Sequence, residues 1–158
     1  MKIKVVIITG VIVILCIVGI LLQNNQGSLK TLQLGKSRSV KVSAKKHWVS
    51  SGLNIESGAR ILIEAEGKWS HGNEGDPENF VFYSPNGYDK KDGSVILPTA
   101  NVGALVGRIG SGEIFFVGES LTLTSSVSGE LSLAINDASG PAAHENNDGE
   151  LKVTIERM

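Results

Sequence analysis

The sequence predicts an all-β fold: an antiparallel jelly-roll β-sandwich of about eight strands, preceded by one N-terminal transmembrane helix. Three observations carry this expectation. Beyond Ser37 the apolar residues recur with period two, not 3.6. Tight-turn residues such as Ser57-Gly58, Pro85-Asn86-Gly87, Asp92-Gly93, Ser111-Gly112 and Ser128-Gly129 punctuate the apolar runs. One uncharged run, Val5 to Leu22, stands apart near the N-terminus.

That run would span roughly 27 Å as a helix at about 1.5 Å per residue, close to the thickness of a bilayer core. Lys2 and Lys4 precede it, so residues 1–4 are expected on the cytoplasmic side and the remainder outside. Gln23-Asn24-Asn25-Gln26 follows and offers no small-x-small cleavage site, which favours an uncleaved anchor at 5–22 over a cleaved signal peptide. The expected location is therefore the cell membrane, single-pass, with the C-terminal domain extracytoplasmic. Residues 23–36 are polar and read as a linker. Cys16, the single cysteine, lies inside the apolar run, so no intrachain disulfide forms and the folded domain lacks a thiol nucleophile.

From residue 37 to 158 each strand rests on alternation. Val40 and Val42 alternate with polar neighbours. Ile61, Ile63 and Ala65 face one way while Glu64 and Glu66 face the other. The same pattern recurs at Leu105–Ile109, Leu121–Leu123, Leu131–Ile135 and Leu151–Ile155, with Phe80–Tyr83 and Ile114–Val117 as further candidates. Two sheets of four bury these faces; a closed barrel is the competing architecture. Residues 70–100 carry little pattern, and loops of that length tend to be functional or mobile.

Fifteen basic residues against sixteen acidic, with no basic stripe interleaved with aromatics, point away from nucleic acid. Acids gather in two loops, one holding Glu74, Asp76, Glu78, Asp89 and Asp92, the other Asp137, Glu145, Asp148 and Glu150. The second loop joins two strands and ends in Asn146-Asn147-Asp148-Gly149. Calcium takes six to eight oxygens from carboxylates, amides, backbone carbonyls and water. Consecutive side chains of an extended strand point to opposite faces, so Asn146 and Asn147 reach one ion only if the chain turns there, and Asp148-Gly149 permits that. The residues alone favour the plainer reading, an Asx-rich turn whose side chains cap their own backbone.

Enzyme readings are weak. Asp76, Asp89, Asp92 and Asp137 offer carboxylates for glycoside hydrolysis, but nothing sets a pair across a cleft. His47, His71 and His144 are scattered, and no Gly-x-Ser-x-Gly turn accompanies them. Gly107 to Gly112 lies among strands and is no nucleotide fingerprint. Catalysis is not expected.

Several pieces in order resemble the bacterial galactophilic lectin family, the LecA or PA-IL-like proteins. They are Trp48-Val-Ser-Ser-Gly-Leu, Gly58-Ala-Arg-Ile-Leu-Ile-Glu-Ala-Glu-Gly-Lys-Trp69, Gly103-Ala-Leu-Val-Gly-Arg-Ile-Gly110, Phe116-Val-Gly118, Gly129-Glu-Leu-Ser-Leu-Ala-Ile-Asn136-Asp137 and Asn146-Asn147-Asp148-Gly149. Together they cover most of residues 38–156. The resemblance implies a galactose-binding-like jelly roll with one Ca2+ as cofactor and a carbohydrate partner, galactose-like in that family. The implied calcium ligands are Asp137, Asn146 and Asn147, with backbone carbonyls from His71 and Ala143. The implied sugar contacts are Asp137 and Asn146, joined by Tyr88 and Asp92 from the region where the family's His and Gln would stand. Those two residues have no counterpart here, and the loop is longer, with eight residues between Asp137 and Asn146. Trp69, Tyr83 and Tyr88 are candidate aromatic platforms for a sugar face, with core packing the competing role for Trp69. A structural or protein-interaction module that keeps the fold without the sugar site is the second reading.

Overall fold

The computed structural model describes residues 28–72 and 80–158. The expected anchor at 5–22 lies outside the described residues. Among the described residues no helix is long and apolar enough to cross a membrane.

Eight strands form two four-stranded antiparallel sheets. They are β1 (Ser37–Ser43), β2 (Val49–Ile55), β3 (Arg60–Ser70), β4 (Leu105–Ile109), β5 (Phe115–Phe116), β6 (Ser120–Thr124), β7 (Gly129–Ile135) and β8 (Asp148–Arg157). One sheet runs β1-β8-β3-β6, the other β2-β7-β4-β5. Nearly every connection crosses between sheets, the strand order of a jelly roll. The period-two faces meet between the layers: Val42, Ile61, Ile63, Leu151, Val153 and Ile155 from one sheet lie against Leu53, Leu105, Ile109, Leu131, Leu133 and Ile135 from the other, all buried.

Three elements differ from the sequence expectation. β2 is a full strand, although Ser50-Ser51-Gly52 breaks its alternation. Burial still alternates, because Ser51 takes a buried place in line with Leu53 and Ile55; the register to β7 shifts between Ser50 and Asn54, with Gly52 at φ +66°. Phe80–Tyr83 is not a strand; Tyr83 makes a single bridge to Trp69. Around Ile114–Val117 only Phe115–Phe116 pairs. Residues 28–36, within the stretch expected to be a linker, lie along β2: Lys30 N–H donates to Gly52 O at 3.0 Å, and Asn54 N–H donates to Lys30 O at 3.0 Å.

The pattern-poor loop after β3 is held by the end of β7. Asn136 is fully buried. Its side-chain oxygen accepts from Leu97 N–H at 2.9 Å, and its amide nitrogen donates to Leu97 O at 3.0 Å and Asn101 O at 2.9 Å. Its backbone oxygen accepts from Gly103 N–H at 2.8 Å, and Gly103 O accepts from Trp69 Nε1 at 2.7 Å. One side chain thus satisfies loop groups that no ladder reaches. Replacing it leaves several buried polar groups unpaired, each costing about 1–3 kcal/mol. Asn136→Ala should destabilise the domain by about 3 kcal/mol in urea unfolding, whereas Asn101→Ala, which removes only one side-chain bond to Asn86 O, should cost under about 1 kcal/mol.

Candidate functional site

Three loops converge at one end of the sandwich around a cleft of about 570 Å3, within the size range of small-molecule sites. β3 delivers His71 and Gly72, the 80–104 loop delivers Tyr88, Lys90, Asp92 and Ser94, and the β7–β8 connection delivers Asp137, Ala143 and Asn146. All the sequence-predicted site residues except Asn147 therefore line one cleft.

Asn147 is next to that wall and only 1% exposed. Its amide nitrogen donates to Asp137 Oδ2 at 3.0 Å and to Ala44 O at 3.1 Å. The two acceptors fix which end of the amide is nitrogen. Its Oδ1 is then buried without a hydrogen-bond partner among the described residues. Such an oxygen is costly to leave unmatched. Asp137 Oδ1 accepts from Ala138 N–H at 2.7 Å, and Asp137 O accepts from Ile96 N–H at 2.9 Å. The carboxylate is pinned through both oxygens, each with lone-pair capacity to spare.

The segment between Asp137 and Asn146 is packed, not loose. Residues Pro141–His144 form a 3-10 turn, with Gly140 before it at φ 104°. His144 is fully buried, and its Nδ1 lies 3.0 Å from Gly140 O. A carbonyl only accepts, so Nδ1 carries the proton there. Asn147 N–H closes the turn onto His144 O at 3.3 Å. Gly72 (φ +83°) allows Asn146 to approach: a Cβ there would stand 2.5 Å from Asn146 Nδ2 and 2.8 Å from its backbone oxygen.

The aromatic candidates separate. Trp69 is fully buried and belongs to the core, not to a platform. His71 and Tyr83 stack nearly parallel at 5.7 Å, and Tyr83 sits 5.2 Å from Tyr88. Burial first, and then Tyr88, push the Tyr83 phenol pKa up. Tyr88 is 46% exposed and is the aromatic face that the cleft presents. Asp92 accepts from Ser94 Oγ at 2.7 Å and from Ser94 N–H at 2.8 Å. Those bonds, side chain first, lower its pKa, with Lys90 contributing. Lys90 and Ser94 escaped the sequence reading; they sit in a loop with no periodicity, and only folding brings them to the cleft.

Among the described residues no three His, Cys, Asp or Glu side chains cluster as a metal site. A cation at this cleft would therefore be held by one carboxylate with amide and backbone oxygens. That donor set suits a hard ion such as calcium and not zinc. The orphaned Asn147 Oδ1 beside Asp137 fits such an ion.

The PA-IL-like protein family matches residues 35–158. The chain belongs to that family. Among solved structures it is similar to the EclA N-terminal domain, described as a PllA-like lectin. That likeness has a TM-score of 0.59 at 28% identity and covers 76% of this chain and 95% of that one. No curated protein sequence matches the chain. The PA-IL-like match begins just before β1 and takes in every strand and the whole cleft wall.

Behind the cleft His47 packs on His144 with ring centroids 5.2 Å apart, and its Nε2 accepts from Gly140 N–H at 3.4 Å. Burial, then His144, then Arg108 hold the His47 pKa below its ordinary 6.5. The neutral ring is the one the fold accepts. Its contribution to stability is complete above about pH 6.5 and is lost as pH falls through the lowered folded pKa. An NMR titration should place His47 below the usual imidazole range. In His144→Leu the value should rise only part of the way back, since burial is the larger cause.

Proposed function

We propose that this lectin-like domain binds carbohydrate through a calcium ion held by Asp137, Asn146 and Asn147 with backbone oxygens of His71 and Ala143, and that residues 5–22 display it outside the cytoplasmic membrane. The single observation that carries the reading is the buried, unpartnered Asn147 Oδ1 beside the Asp137 carboxylate, at a cleft that gathers the other four residues. Membership of the PA-IL-like family and the likeness to a PllA-like lectin support carbohydrate as the ligand.

Bound calcium would offer coordination positions to vicinal sugar hydroxyls in place of water. The chain's own residues supply the rest. Asp137 and Asn146 accept or donate hydrogen bonds to hydroxyls at the cleft wall. Tyr88 offers an exposed ring for an apolar sugar face. Lys90 and Asp92 set the polarity of the outer rim, where the family's His and Gln are missing.

A single carboxylate limits ion affinity. Sites poor in ligand charge sit near 0.1–1 mM for calcium. Calorimetry should find calcium binding in that range, and glycan-array binding should disappear with a chelator. Asp137→Asn, which removes the charge and one of the two acceptor oxygens, should weaken calcium at least about 10-fold, while the metal-free protein stays folded and loses about 1–3 kcal/mol from the bond to Ala138 N–H or Asn147 Nδ2. Absence of calcium binding at several millimolar ion would sink the reading and leave the interaction-module alternative.

A further inference from the structure

The two flanks of the sandwich are treated differently. At one flank β1 carries Arg38 and Lys41, and the edge of β2 is covered by Lys30, which hydrogen-bonds to Gly52 and Asn54. Charges on an edge strand and cover over it both prevent edge-to-edge pairing. At the other flank β6 closes its sheet with Ser120-Leu121-Thr122-Leu123-Thr124, which has no charge, no proline and no covering segment among the described residues. Its neighbour in the second sheet, β5, is only two residues long.

The hydrogen-bond phase of β6 decides what this edge can do. Ala65 N–H donates to Glu119 O at 2.9 Å and Ser125 N–H to Ala59 O at 2.9 Å, in one unbroken register with β3. Bonded and non-bonded pairs alternate along an antiparallel ladder. Leu121 and Leu123 therefore turn their backbone groups toward β3, and Ser120, Thr122 and Thr124 turn theirs outward. No partner for these outward groups exists among the described residues.

We propose that β6 pairs antiparallel with β6 of a second copy of this chain, about a two-fold axis through Thr122, to make one continuous eight-stranded sheet. The strand is self-complementary in that arrangement. Thr122 meets Thr122 of the second copy, and Ser120 meets Thr124 in both senses. All three are bonded-type pairs, which gives about six backbone hydrogen bonds. Leu121 falls opposite Leu123 of the second copy on the inner face, where both are half-buried in the single chain. Cross-strand hydroxyl and aliphatic pairs of these kinds are favourable.

Charge agrees. Thr124 pairs with Arg60 and Ser120 with Glu64 on β3. The joined row would thus run from Arg60 of one copy to Glu64 of the other, and no like charges face each other. Exposed apolar side chains sit on this flank: Phe116 is 44% and Val127 40% exposed, beside a groove lined by Ile114, Phe115 and Leu123. The two-fold also reverses strand direction, so the clefts at the ends of the two β3 strands open at opposite ends of the dimer.

The contact is smaller than a standard permanent interface, so a reversible dimer is expected. Sedimentation velocity of the full chain from about 1 μM to 1 mM should show concentration-dependent dimer formation. Thr122→Pro removes an N–H that β3 does not use, so the sandwich should keep its circular dichroism and thermal midpoint while dimerisation weakens at least about 100-fold. Thr122→Lys, which sets two cations on the axis, should do the same. A chain that stays monomeric throughout, or a dimer that persists in both folded variants, overturns the proposal. Association through residues 1–27 would give the second outcome.

Discussion

The architecture of the binding end depends on one buried amide. Asn136 is the first residue beyond β7, and its side chain supplies the paired donor and acceptor that a neighbouring strand would otherwise supply. The polypeptide from 80 to 104 contributes little to the ladder, so its backbone groups need partners from elsewhere. They find them in Asn136, in Asp137 O, and in each other through Tyr88–Val102 and Val102–Lys90. The same residue passes the constraint inward, through Gly103, to the Trp69 indole. The site is therefore anchored to the core by hydrogen bonds and not by a side chain of its own.

Asn147 is a second amide of this kind, placed ten residues after Asp137. Its nitrogen ties the start of β8 to the β1–β2 connection at Ala44 and to the Asp137 carboxylate. Both amide hydrogens are used, which fixes the amide and leaves its oxygen as the one unmatched atom. The ligand-like character of Asn147 is thus a consequence of its structural bonds. A substitution that removed those bonds would disturb the cleft before any ligand question arose.

Much of the sandwich was legible as period-two alternation: β8 and the first half of β3 alternate cleanly because one face is dry and the other wet, and β7 does so until Ala134, which is buried between Leu133 and Ile135. β2 was not, because a serine, Ser51, fills the buried position that Leu53 and Ile55 continue. Phe80–Tyr83 misled for the opposite reason: its aromatics suit a strand, but they serve a bridge to Trp69 and a stack on His71. For the site, Asp137, Asn146, His71, Ala143, Tyr88 and Asp92 were named from residue type and resemblance, and all reach one cleft. Lys90, Ser94 and the anchoring role of Asn136 were not legible. Each depends on where a loop without periodicity is folded, and an amide reads the same in sequence whether it caps a turn or holds a loop.

The electrostatics of the cleft follow from how few charges reach it. Asp137 and Asp92 face Lys90, and the Asp92 carboxylate is already engaged by Ser94. One carboxylate with neutral oxygens makes a site whose hold on a hard cation is modest. Each further oxygen then matters more to the total. An ion in that position gains most from a ligand bringing two hydroxyls at once, and the ligand gains most when the ion is present. By linkage the two affinities rise by the same factor. A site richer in carboxylates would bind the ion tightly alone and couple it less to the sugar. With calcium held as proposed, the amide-rich donor set beside Asp137 would favour joint occupancy, the sandwich supplying rigidity and the ligand completing the shell.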